Sequence, residues 1–431
     1  MMRDRHAADP RSHDPRWHDP ELTAWLARGA LPLNGLDAGA PTGDLRPLAG
    51  ALRGVRVVGL GEATHGTGEF FRLKHRLLEF LVTELGFSVL AMEASASAGP
   101  AVDACVRQGA GDPVAALTGL GFWIWRTHEV LSAVEWLRVH NATLPGHDRV
   151  RFVGIDPQQC GDSLRLLDAF LRETAPDRVA WLHTALGQLA TAAPGSAPDP
   201  RQRLMRDAET LMDLVRGRAP GAAGPLHHAR ILVRAADLVT RPRQHTDPER
   251  TVFAARDRHM ADAVDDALRD PAARVVVWAH NAHIAKGRHD GGPAPLGRHL
   301  NARYGDAYYA LALLFGRGGF RARRLPPGPW RPSRPRPPAA NRIGPPPPGS
   351  LEALLAAAHP GDHLVDLRSA AEAGPVVRRR LAEPRPARSI GAQVPWRMRS
   401  LTPVTVVPSE DYDGLAYVAT SACSRPLSPP A

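Results

Sequence analysis

The sequence predicts an α/β protein with a mainly parallel sheet flanked by helices, and two observations carry that expectation. Short, continuously apolar runs recur at 55–60, 87–92, 150–155, 274–279 and 308–315. Unbroken apolar character, rather than alternation, is what strands covered on both faces require. Stretches with helical period separate them, among them 69–85, 129–140 and 260–268, and alternating strand and helix is the pattern of a parallel sheet.

Residues 1–20 are polar and read as a disordered tail. The remainder, 21–431, reads as one α/β domain that opens with a short helix at 21–29 and a segment at 44–52 leading into the first strand. From about 163 to 250 the pattern is helical without a good strand, and an insertion covering the pocket is expected there. The proline-rich stretch 325–348 predicts a long surface loop. A helix at 351–358 and strands at 363–367 and 414–420 then return to the sheet.

A chain of 431 residues with 43% apolar content can bury a sizeable core. The net charge of +10 is almost entirely arginine, because Lys74 and Lys286 are the only lysines. Nucleic-acid surfaces cluster basic residues with aromatics. The one dense arginine run here, 317–336, is proline-rich and reads as a solvated loop, so no nucleic-acid partner is expected. Cys105, Cys160 and Cys423 are too few for a disulfide framework or a four-cysteine zinc site. The N-terminal residues lack the apolar core of a signal peptide, and no run approaches the ~20 residues of a membrane span. The expectation is a soluble cytoplasmic protein without cofactor, nucleic acid or membrane.

Two strand ends carry the chemistry. The run Val275-Val276-Val277-Trp278 stops at Ala279-His280-Asn281-Ala282-His283, and Val57-Val58-Gly59-Leu60 stops at Gly61-Glu62-Ala63-Thr64-His65-Gly66. Strand carboxyl ends of a parallel sheet line the ligand crevice, so Glu62, His65, His280 and His283 read as an acid–base pocket. His65 suits a general base kept oriented by Glu62, against the alternative of a turn histidine that caps the next helix. That helix's N-terminal amides offer an oxyanion site, and the glycines at 59, 61, 66 and 68 permit tight turns and close approach of a ligand.

Glu93 and Asp156 end two further strands. Glu93 reads equally as a pocket carboxylate or a helix cap; Asp156 reads as a partner-positioning group or an Asx turn before Pro157. In the 69–85 helix, Lys74 falls inside the apolar stripe of Phe70, Leu73, Leu77, Leu78 and Leu81. Pairing with Glu62 or Glu93 is the favoured account, because an unpaired buried charge is costly. No G-x-S-x-G elbow, dinucleotide fingerprint or P-loop is present, and nothing singles out Cys160 as a nucleophile.

These blocks resemble the erythromycin esterase family. The likeness runs from 58–66 with Glu69-Phe70-Phe71, through 87–93, Trp125-Arg126-Thr127-His128-Glu129, 152–156 and Arg256-Asp257-Arg258-His259-Met260-Ala261, to 279–283. The resemblance implies hydrolysis of a cyclic ester, typically a macrolide lactone, by histidine-activated water without a required metal. It gives His65 the general-base role with Glu62 in support, and makes Glu93, His280 and His283 pocket residues. Lys74 stands where the family pattern has arginine; an ammonium keeps the charge and loses the planar fork. Lys74, Trp125, Arg126 and Asp156 are expected to bind the small-molecule ester or macrolide substrate. A protonated His280 or His283 is expected to stabilise the oxyanion or protonate the leaving alkoxide. Two other readings use the same pocket: a metal-dependent hydrolase with a His/carboxylate site, and a non-catalytic small-molecule-binding protein.

Overall fold

The computed structural model describes residues 19–199, 201–218, 220–326, 336–398 and 401–428. The expected tail lies outside that range except for its last two residues, where Asp19 caps the helix Pro20–Gly29 by accepting from the Leu22 amide at 3.1 Å.

Among the described residues the main sheet has ten strands, and seven of them form its body: β1 (Val57–Leu60), β2 (Val89–Ser95), β3 (Arg151–Asp156), β4 (Val275–Trp278), β5 (Tyr308–Arg324), β6 (His363–Asp366) and β7 (Gly414–Ser421). Across the sheet they run β6-β7-β5-β1-β4-β2-β3. Every pair is parallel except β6 with β7. β1 and β4, at the centre, are buried along their whole length, which explains their all-aliphatic and tryptophan composition.

The helix Gly68–Thr83 is more enclosed than its single apolar stripe predicts. Its opposite face is also covered, because the segment around residues 35–44 wraps over it: fully buried Arg76 donates to the Gly35 and Pro41 carbonyls and to Asp44, and Glu79 accepts from the Gly39 amide. The 163–250 region is helical as expected, with helices Gly161–Thr174, Val179–Leu186, Arg203–Arg218 and Ala223–Thr240. Their leucines, with Ile231 and Met212, form an apolar cluster of their own.

One expectation is corrected. The stretch 325–348 is not all loop, since Ala339–Ile343 is a strand antiparallel to an extension of β5. Within 308–324, Phe320 and Ala322 are buried in alternation with arginines. That period-2 signal outweighs the proline content on either side.

Close chain approach replaces the ligand approach expected at the glycines. A Cβ on Gly66 would sit 2.0 Å from the Arg321 carbonyl oxygen, where Gly66 accepts from the Arg321 and Ser424 amides at 2.9 Å each. Gly66→Ala is therefore expected to destabilise the protein by about 1–3 kcal/mol. Gly217→Ala, in an open position of the helix Arg203–Arg218, is expected to stabilise it by about 0.5–1 kcal/mol. Chemical unfolding of the two variants checks the opposite signs.

Candidate active site

Strand register decides which side chains meet. Leu60 lies beside Trp278, and Trp278 beside Met92, so β1, β4 and β2 reach the same level together. Glu62, His280 and Glu93 follow one or two residues later. The β2–β3 register shifts between Met92 and Ser95, where β2 carries an extra residue at the level of Glu93. Such bulges re-aim side chains. Gly154 makes the bulge possible, since a Cβ there would meet the Ser95 carbonyl at 2.2 Å. The loops after β1 and β4 are tied by the Asn281 amide donating to the Glu62 carbonyl at 2.9 Å.

Glu62 is completely buried and both its oxygens are engaged. Oε1 meets His65 Nδ1 at 2.7 Å, and Oε2 accepts from Lys74 Nζ at 2.6 Å. The carboxylate fixes the proton of His65 on Nδ1 and leaves the Nε2 lone pair free. Lys74 also donates to the Ala279 carbonyl at 3.1 Å and sits 5.0 Å from the Trp278 ring centre. Burial lowers its pKa to about 8 against the opposing pull of Glu62 and Glu93, so the ammonium is charged at neutral pH.

His280 lies beside His65 with ring centroids 4.9 Å apart. Its Nδ1 accepts from the Ala282 amide at 3.2 Å, which places the proton on Nε2. That Nε2 is buried without a hydrogen-bond partner. Burial, reinforced by His65, pushes the His280 pKa well below the usual histidine range, so the ring is neutral. The Ile390 backbone carbonyl lies against this ring and opposes that shift, while the Ile390 amide donates to the Ala63 carbonyl at 2.6 Å.

His283 has the opposite charge state. Nδ1 is 2.5 Å from Asp257 Oδ1 and Nε2 is 3.2 Å from Glu93 Oε1. Burial opposes its charge, but Asp257 and Glu93 overcome that and raise the pKa to about 10. The Arg256 guanidinium lies 3.0 Å from the same Nε2. This like-charge contact is offset because Arg256 also binds Glu93 at 2.7 Å and Asp156 at 2.7 and 3.1 Å. Glu93 completes the cluster by accepting from the His280 amide at 3.0 Å. Burial would raise its pKa, yet His283 and Arg256 hold it well below the carboxylate range.

Glu62, His65, Glu93, His280 and His283, drawn from three strand ends, are thus brought together. The four residues expected to touch substrate are placed differently. Lys74 is fully buried behind Glu62. Trp125 is fully buried, donates to the Glu93 carbonyl at 3.0 Å and presents its ring to His65 at 6.2 Å. Asp156 is fully buried, holds Arg256 and also closes the Asx turn onto the Gln158 amide at 3.1 Å. Arg126 alone keeps partial exposure.

The helix N-terminus expected to face an oxyanion is occupied by the chain itself, since the Gly68 amide donates to the Ala422 carbonyl. Cys160 is buried and its thiol pKa is pushed up to about 12 by burial, which removes it as a nucleophile. Among the described residues, no group of three or more His, Cys, Asp or Glu side chains is arranged to hold a metal ion. Arg256 and Asp257 are pocket residues to which the sequence reading gave no role. The available signal was charge on a helix, Val252–Ala267, whose Ala255, Met260, Ala261 and Val264 are all buried; the same anomaly singled out Lys74.

Comparison with known proteins bears on what this arrangement does. The family model for erythromycin esterase matches residues 82–421. A putative hydrolase of Bacillus subtilis is 26% identical over 61% of this chain and 63% of its own length, so the chain spans somewhat less than two thirds of that relative. An erythromycin esterase type II of Escherichia coli is 24% identical over 63% of this chain and 71% of its own length. The crystal structure of an erythromycin esterase mutant, EreC in its open conformation, superposes with a TM-score of 0.66 at 17% identity. It covers 90% of this chain and 96% of that one, and it shows the same fold. No helix among the described residues is long and apolar enough to cross a membrane.

The His283 charge makes a pH-dependent contribution to stability. With a folded pKa raised to about 10 from an ordinary 6.5, that contribution is full below pH ~6.5 and is lost as pH rises through 10. Wild type is expected to exceed His283→Gln by about 3–5 kcal/mol at pH 6, with the gap closing toward pH 10. Urea unfolding of both proteins at pH 6, 8 and 10 reads it. Lys74 titrates in both and cancels; a gap that widens with pH would contradict the assignment.

Proposed function

The chain belongs to the erythromycin esterase family, whose membership supports a hydrolase, and we propose that it cleaves a carboxylic ester with His65-activated water, the substrate being a macrolide lactone or a related ester. One observation carries this reading. A carboxylate-oriented histidine lies beside a neutral histidine, ring centroids 4.9 Å apart, whose buried Nε2–H makes no hydrogen bond of good geometry.

In the proposed reaction His65 Nε2 takes a proton from water as its oxygen attacks the ester carbonyl carbon. Glu62, bound by Lys74 at 2.6 Å, stabilises the imidazolium that forms. The carbonyl electron pair moves to oxygen, where His280 Nε2–H donates to the oxyanion. When the tetrahedral intermediate collapses, the C–O bond to the alcohol breaks and His65 returns its proton to the leaving alkoxide. The products are a carboxylic acid and an alcohol, joined in one chain when the substrate is a lactone.

The two histidines thereby take separate tasks. His283, committed to Asp257 and Glu93, acts as a fixed positive charge that holds Glu93 and through it the His280 backbone. It is not the proton donor.

His65→Ala is expected to lower kcat by about 10²–10⁴-fold, and His280→Phe, which keeps ring bulk without the N–H, by about 10²–10³-fold. The assay is a panel of erythromycin, smaller lactones and acyl esters, with mass spectrometry for addition of one water. Full turnover by folded His65→Ala would remove the proposed base.

A further inference from the structure

Two arginines of the run that composition assigns to a solvated loop, Arg321 and Arg323, instead lie on a strand beside the chain around His65 and Ile390. Arg321 and Arg323 lie on the extension of β5, on the face opposite buried Phe320 and Ala322. The Arg321 amide donates to the Gly66 carbonyl, one residue from His65. Its guanidinium carbon stands 5.7 Å from the ring centre of Trp123, which shares a helical turn with Trp125 beside His65. Arg323 sits in register with Gln393, three residues beyond Ile390, and its amide donates to the Ala392 carbonyl. Arg126 follows the same tryptophan turn.

These three guanidiniums lack acidic counterparts. Among the described residues none of them forms an ion pair, and Arg126 Nε, Arg321 Nη1 and Arg323 Nε are buried without a hydrogen-bond partner. Arg321 Nη2 donates to the Pro338 carbonyl at 3.3 Å. The carboxylate near Arg321 is Glu129, which already accepts from the amide and Nε of Arg425. Desolvating guanidinium donors without a partner is unfavourable. Burial lowers the pKa of both Arg321 and Arg323. A carboxylate, which matches guanidinium N–H geometry, relieves that cost.

We infer that Arg321, Arg323 and Arg126 form a cationic rim that selects an ester bearing a carboxylate near the scissile bond. The rim disfavours an amine-bearing ester at the same position, because a like charge there has nothing to neutralise it. The inference rests on the hydrolase reading and, between its two substrate options, favours a related acidic ester over an amine-bearing macrolide.

The test compares mono-4-nitrophenyl succinate with 4-nitrophenyl butyrate at fixed ionic strength. Wild type is expected to favour the succinate in kcat/KM by about 10- to 100-fold. Arg321→Gln with Arg323→Gln should collapse that ratio at an unchanged melting temperature, and the paired lysine substitutions should restore part of it. A wild-type ratio near one, or a ratio that survives the double substitution, overturns the rim. If neither ester turns over, the rim is read by binding, and the lactone and ester panel alone decides the hydrolase reading. Calorimetric titration of His65→Ala protein with succinanilic acid and with butyranilide then decides the rim. Tighter binding of the acid, lost with both arginines, supports it; equal binding overturns it.

Discussion

Glu62 has no exposed surface, and its two oxygens are divided between an ammonium and an imidazole. Taking a carboxylate out of water is costly unless its acceptors are filled with good geometry. Here each oxygen holds one charged or ionisable donor at 2.6–2.7 Å. The same pairing resolves the problem of Lys74, a charge on the apolar stripe of a helix enclosed on both faces. Lys74 adds the Ala279 carbonyl and the Trp278 ring to its contacts, so helix, β1 and β4 are locked at one point. The single Oε2 that Lys74 needs is a point-charge contact, which an ammonium satisfies without the forked geometry of arginine.

From that anchor the two downstream histidines acquire opposite charges, although they are three residues apart on one short helical turn. His280 is flanked by His65 and by a backbone amide, both of which favour its neutral form. His283 is flanked by Asp257 and Glu93, which favour its cation. Intrinsic histidine chemistry is the same at both positions; the field around each ring separates them. The separation permits a neutral N–H donor and a fixed positive charge to coexist within one small volume.

Proximity of the chain to itself is the third constraint. Gly61, Gly66 and Gly154 all stand where a Cβ would collide with a neighbouring side chain or backbone, at 2.0–2.2 Å. Each lies at or beside a strand end that carries a pocket residue. Small residues there let three loops converge tightly enough for side chains from β1, β2 and β4 to share hydrogen bonds.

Sequence alone determined much of this. Continuous apolar runs located five of the main strands, because a strand covered on both faces must be apolar throughout. Polar residues stopping those runs marked Glu62, His65, Glu93, Asp156, His280 and His283, and a charge inside an apolar stripe marked Lys74 with Glu62 or Glu93 as its partner. Tertiary structure decided what local pattern does not encode. Strand order and the β2 bulge set which carboxylate meets which histidine. The placement of helix Val252–Ala267 brought Arg256 and Asp257 into the pocket from a hundred residues beyond Asp156. Protonation states, too, depended on neighbours distant in the chain. Electrostatic energy varies with separation in space and with desolvation, and both are properties of the folded chain rather than of residue order.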